Sequence, residues 1–117
     1  MNTFTEKSVL QIVGNPICVE ASDGEKIAEV VKSFINEKKG VVLDFLNIQM
    51  LTSAFLNTSI GVLYGLYTEE EIKTYLKVKN LQPADIVLLK RVVDTAKMYY
   101  KNPEHMEESV KKILDED

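Results

Sequence analysis

The chain has 117 residues, 45% apolar and 27% charged, and its 14 basic and 18 acidic residues give a formal net charge of −4. That length predicts one domain with a single core, and the acidic balance argues against a nucleic-acid partner, whose phosphate backbone calls for a basic face. No apolar run approaches the ~20 residues of a membrane span.

The start, Met1-Asn2-Thr3-Phe4-Thr5-Glu6-Lys7, is polar and lacks the apolar centre of a signal peptide. The single cysteine, Cys18, rules out an internal disulfide and fits a reducing compartment. The expectation is a cytoplasmic protein without membrane insertion. Lys73, Lys77, Lys79, Lys90 and Arg91 read as a solvated strand edge and helix face rather than a phosphate-binding patch.

In chain order, Val9-Leu10-Gln11-Ile12-Val13 reads as a strand, Gly14-Asn15-Pro16 as a turn and Ile17-Cys18-Val19 as a short strand. Ser22-Asp23-Gly24-Glu25 has the form of a capping box. It opens a helix whose apolar face holds Ile27, Val30, Val31, Phe34 and Ile35. Val41 to Leu46 is almost wholly apolar, the pattern of a central strand covered on both faces. A second helix is predicted from about Ser53 to Tyr67, with Leu56, Ile60, Leu63, Tyr64 and Tyr67 as its stripe.

Gly61 and Gly65, four apart on that helix, read as a place of close approach to the sheet. Thr68-Glu69-Glu70-Glu71 is a second capping box. Thr74 to Lys79 alternates like an edge strand guarded by lysines. Pro83 suits the first turn of a third helix, with Ile86, Leu89, Val93, Ala96 and Tyr100 as its buried face. After Asn102-Pro103 a last helix, about 103–116, carries Met106, Val110, Ile113 and Leu114 on one side. That stripe fits folding back on the core, a partner, or a second copy in a homodimer.

Two places carry chemistry. Asp44 stands among apolar neighbours near the end of its strand. There it either accepts N–H bonds from the loop or contacts a ligand, since sites in open α/β sheets lie at the carboxyl ends of strands. Thr52 and Ser53 open the second helix, and N-capping alone explains both. A helix start also favours anions, so a phosphoserine would be welcome there. Enzyme signatures are missing: there is one histidine, His105, one cysteine, no zinc cluster and no glycine-rich phosphate loop. The expectation is a non-enzymatic protein with no metal and no cofactor.

Leu43-Asp44-Phe45, Leu51-Thr52-Ser53-Ala54-Phe55-Leu56-Asn57 and Ile60-Gly61-Val62-Leu63 resemble the core motif of the bacterial STAS-like domains of unknown function. These are relatives of the sulfate-transporter and anti-sigma-factor-antagonist fold. The run Leu76 to Leu81, with Asp85, Leu88 to Val93 and Ala96, is similar too, so the resemblance covers about residues 7–101.

It implies an α/β fold: a single STAS-like domain over 1–117, with a small mixed four-stranded sheet, helices packed on it and the extra C-terminal helix. In the antagonists a serine at the start of the second helix is phosphorylated by a partner kinase. The residue in the similar position is Ser53, although the antagonists usually read Asp-Ser-Ser-Gly where this chain reads Thr52-Ser53-Ala54-Phe55.

The resemblance therefore implies a regulatory protein-interaction domain whose partner is a regulatory protein such as a kinase-like ATPase. Its binding residues would be Asp44, Thr52, Ser53 and Asn57, with Ser53 the phosphorylation candidate. The competing expectation is a sensor of a small anion or nucleotide held by the loop from Asp44 to Ser53.

Overall fold

The computed structural model describes residues 3–101. Two sets of parallel strands are wrapped by helices. β1 (Phe4–Ser8), β3 (Gly40–Asp44) and β5 (Leu76–Lys79) form one three-stranded sheet in the order β1-β3-β5, while β2 (Ile17–Cys18) and β4 (Met50–Leu51) form a separate pair. Between them run α1 (Val9–Val13), α2 (Ala21–Asn36), α3 (Ser53–Ser59), a 3-10 segment (Gly61–Gly65), α4 (Glu69–Tyr75) and α5 (Pro83–Lys101). The α/β class is as expected, but the single mixed four-stranded sheet is not: among the described residues the strands divide three and two, and every pairing is parallel. The expected last helix, 103–116, lies outside the described residues.

The first departure is local. Val9–Val13, read from its apolar run as a strand, is a helical turn because both ends are capped. Ser8 accepts a hydrogen bond from the Gln11 N–H, and Gly14 closes the turn at φ 80° with its own N–H on Leu10 O. The first described strand is instead the polar Phe4–Ser8, which among the described residues lies at the edge and pairs with β3. A five-residue apolar run fits a buried strand or a buried helical turn equally well, and here the caps decide.

β3 is central, as expected, but its two faces differ. Val41 and Leu43 are fully buried on the face that meets the helices. Val42 and Asp44 on the other face are half-buried, crossed by contacts from the edge strands. There Lys79 Nζ pairs with Glu6 at 2.7 Å, and Lys77 Nζ stands 4.4 Å from the centre of the Phe4 ring. Because parallel partners share a face, β1 and β5 meet over β3 through these long side chains.

α2 begins at Ala21 rather than after a Ser22 cap. Glu20 is its N-cap and makes no side-chain cap bond, while the Asp23 carboxylate pairs with Lys26. The Thr68 capping box is present in full: Glu71 N–H donates to Thr68 Oγ1, and Glu71 Oε1 accepts from the Thr68 N–H. The helix predicted over 53–67 is broken at Ile60, whose φ of −120° leaves the helical region, and it continues only as the 3-10 segment. Beyond the break the 3-10 segment packs closely on α5. The Tyr100 ring covers Gly65, so that a side chain there would meet it at 2.5 Å.

α5 starts at Pro83 as expected, but Ile86 is 52% exposed. Its buried residues are Val92 and Ala96, because the middle and end of α5, not its first turn, lie on α3 and the 3-10 segment. Among the described residues, no helix is long and apolar enough to cross a membrane.

The most extensive contact between two elements joins α2 and α3. It is set by Gly24, where an added Cβ would fall against Thr58 Oγ1 and within 2.5 Å of Phe55 O. Thr58 Oγ1 in turn donates to Ala21 O at 2.9 Å, tying the start of α2 to α3. Gly24→Ala should force these helices apart and cost about 1–3 kcal/mol, as overpacking does. Urea unfolding measures this, and an unchanged midpoint would mean that the close approach is absent in solution.

Candidate functional site

Asp44 is the last residue of β3, and its carboxylate joins two strand ends. Oδ1 accepts from the Leu46 N–H at 3.0 Å and from Asn80 Nδ2 at 2.8 Å. Asn80 follows β5 in the left-handed region at φ 62°, a conformation asparagine tolerates well, and Phe45 N donates to Lys79 O at 3.0 Å just before it. The Asn80 hydrogen bond, with help from the Leu46 N–H and the Lys79 charge, outweighs the cost of partial burial and holds the Asp44 carboxyl below the usual carboxylate range. Of the two expected roles, the geometry displays the loop-ordering one. Asp44 fixes the turn Leu46-Asn47, where Asn47 also has a positive φ of 65°.

Thr52 and Ser53 have different positions. Thr52 is the N-cap of α3: Oγ1 accepts from the Phe55 N–H at 3.2 Å and donates to Val19 O at 3.0 Å. Ser53 is the first residue of the helix and is exposed. Asn57, one turn further on, is exposed on the same face. The β2–β4 pair leads into this corner. Thr52 N donates to Cys18 O, and Ile17 lies opposite Met50, both with exposed side chains.

The four expected residues therefore do not share one cavity. A hollow of about 690 Å3 at the Asp44 end is lined by Phe45 to Gln49, by Asn80 to Gln82 and by Asp85, and neither Thr52 nor Ser53 lines it. Asn57 lines a second, larger groove between α2, α3 and α5. Ser53 and Asn57 are brought together by helical spacing, whereas Asp44 belongs to the loop between β3 and β4.

Sequence reasoning missed Asn80, Gly24 and the Ile17–Met50 pair. An Asn just after an edge strand is a recognisable left-handed turn residue, but nothing local shows that it faces Asp44, 36 positions earlier.

Cys18 is fully buried, and burial together with the Asp23 carboxylate pushes its thiol up to about 11. It is thus protonated at neutral pH and a poor nucleophile. Among the described residues, no group of three His, Cys, Asp or Glu is placed to hold a metal ion.

Residues 23–85 match the family described as a STAS-like domain of unknown function. No curated protein and no solved structure matches the chain.

Two outcomes follow from this geometry. Thr52→Ala removes a cap and should cost about 1 kcal/mol, whereas Ser53→Ala should stay within about 0.5 kcal/mol; paired urea titrations measure both, and equal losses would contradict the assignment of the cap. A carboxyl whose folded pKa is depressed stabilises the fold above the ordinary carboxylate range and loses that contribution as pH falls through the depressed value. Asn80→Ala should therefore move the Asp44 titration to higher pH, followed through its carboxyl-carbon chemical shift. An unmoved titration would show that the Asn80 bond does not form in solution.

Proposed function

The chain belongs to the family of STAS-like domains of unknown function, and from that membership we propose that it is a non-enzymatic regulatory protein-interaction domain that docks its partner at the start of α3. The partner in this reading is a regulatory protein of the kinase-like ATPase class, and phosphorylation of Ser53 switches the contact.

The observation that carries the reading is the separation of roles between Thr52 and Ser53. Thr52 satisfies the helix start, so the exposed Ser53 hydroxyl is available for modification without loss of the cap. Beside it are the exposed Asn57 and the apolar pair Ile17 and Met50. An apolar anchor next to a polar rim is the usual anatomy of a docking surface. A phosphate adds about −1.5 to −2 charge, and a charge left unpaired at an interface costs binding. The protonated Cys18 and the acid-shifted Asp44 are poor candidates for a nucleophile or a general base, which favours binding over catalysis.

The test compares wild type, Ser53→Ala and Ser53→Asp as baits in lysate of the source cell. Wild type and Ser53→Ala should capture the same ATPase and Ser53→Asp should lose it. Incubation of wild type with that ATPase and ATP should then place one phosphate on Ser53, located by mass spectrometry. A partner held equally by all three baits would sink the switch.

A further inference from the structure

Among the described residues β5 pairs with β3 alone, so one of its long edges is open. Phe45 N donates to Lys79 O, and backbone groups alternate in direction along a strand. Lys77 and Lys79 therefore turn their backbone groups to β3, while Leu76 and Val78 turn theirs outward. Ile72 O takes up the Leu76 N–H at the end of α4. That leaves the Leu76 C=O and both backbone groups of Val78 directed away from the sheet, and no hydrogen bond among the described residues reaches them.

The side chains of Leu76 and Val78 lie on the helix face of the sheet, in register with Val41 and Leu43. Val41 and Leu43 are fully buried, yet Leu76 and Val78 are only half-buried. The difference is a cleft of about 450 Å3 between β5, α4 and α5, floored by Ile60, Ile72, Leu89 and Val93. Free backbone groups beside an apolar cleft are what an added strand requires. Main-chain bonds supply its affinity, and the cleft takes every second side chain.

Charge selects the strand. Lys73, Lys77 and Lys97 rim the cleft, and among its described lining residues only Glu69 opposes them. Glu69 pairs with Lys97 at 3.3 Å. Among the described residues Lys73 pairs with no carboxylate, and Lys77 Nζ faces the Phe4 ring. The chain carries a net negative charge, so this positive excess is local. Lysines on an edge keep like edges apart. Two copies joined β5 to β5 would set Lys77 and Lys79 against their own kind, and like charges across a ladder are destabilising. The same lysines attract an acidic strand. We propose that the open edge of β5 docks an extended segment of a partner protein, apolar at the alternate positions that enter the cleft and acidic at those between. Neither Thr52, Ser53 nor Asn57 lines this cleft, so the inference stands apart from docking at the start of α3.

The test is amide hydrogen exchange, read by NMR on the full chain, alone and with two end-capped octapeptides, one alternating Val with Glu and the other Val with Lys. In the chain alone the Val78 amide should exchange fast while those of Lys77 and Lys79 are protected. With the Val–Glu peptide at about ten times its dissociation constant, Val78 exchange should slow about tenfold. The Val–Lys peptide should leave it unchanged, and Lys73→Glu should reverse that preference. Val78→Pro removes the outward donor without touching the β3 ladder and should abolish binding of the Val–Glu peptide. If Val78→Pro does not fold, Lys73→Glu alone decides. Protection of Val78 in the chain alone, constant or rising with concentration, would show the edge covered by the chain itself or by a second copy. That result would overturn the inference, as would equal binding of both peptides or binding of neither.

Discussion

The approach of α2 to α3 at Gly24 is the constraint on which the rest depends. With no side chain at that position, Thr58 Oγ1 and Phe55 O come close enough for Thr58 to bond Ala21 O, and the start of α2 is locked to the C-terminal end of α3. α3 is short, and its orientation is set by this contact and by Thr52 bonding Val19 O at its other end. Ser53 and Asn57 inherit their positions from those two ties. The depth of the groove follows from the same approach, since Ala28 and Gly61 form its floor on either side of the α2–α3 seam.

A second constraint acts at the carboxyl ends of the strands. The Asp44 carboxylate is held ionised by hydrogen bonds, chiefly from Asn80, and so joins the end of β3 to the end of β5 where backbone pairing stops. This is a common solution for a polar group at the margin of a core: the cost of burial is offset by donors aimed at the charged form. It also leaves Asp44 occupied with holding the fold, while Ser53, whose helix is capped by its neighbour, has no such duty.

Much of the architecture was legible in the sequence. The long helix of Ile27, Val31 and Ile35, the central strand at Val41 and Leu43, the Thr68 box and the Pro83 helix start all rest on period and capping chemistry, and these are local properties. What escaped was decided partly by local caps that the apolar pattern hid and partly by contacts between distant residues. Val9–Val13 turned helical because Ser8 and Gly14 capped it, and the predicted 53–67 helix broke at Ile60, just ahead of the 3-10 segment that packs on α5. At the site, Asp44, Thr52 and Ser53 were recognisable as unusual for their places. Their partners, Asn80 and Val19, lie 36 and 33 positions away, beyond the reach of any local pattern.

The three-stranded sheet has one more property. Phe4 pairs with Gly40 and Val41 with Leu76, separations of 36 and 35 residues. Loop-closure entropy grows so slowly with length, about 0.6 kcal/mol per doubling, that it gives neither ladder precedence. Composition does. The β3–β5 ladder sets Val41 against Leu76 and Leu43 against Val78, while the β1–β3 ladder sets Thr5 and Lys7 against the same two residues. The apolar half of the sheet can therefore collapse without β1, whereas β1 has little to hold it until β3 is in place. Of the three strands, the one synthesised first is the one whose ladder sets the least apolar side chains against Val41 and Leu43.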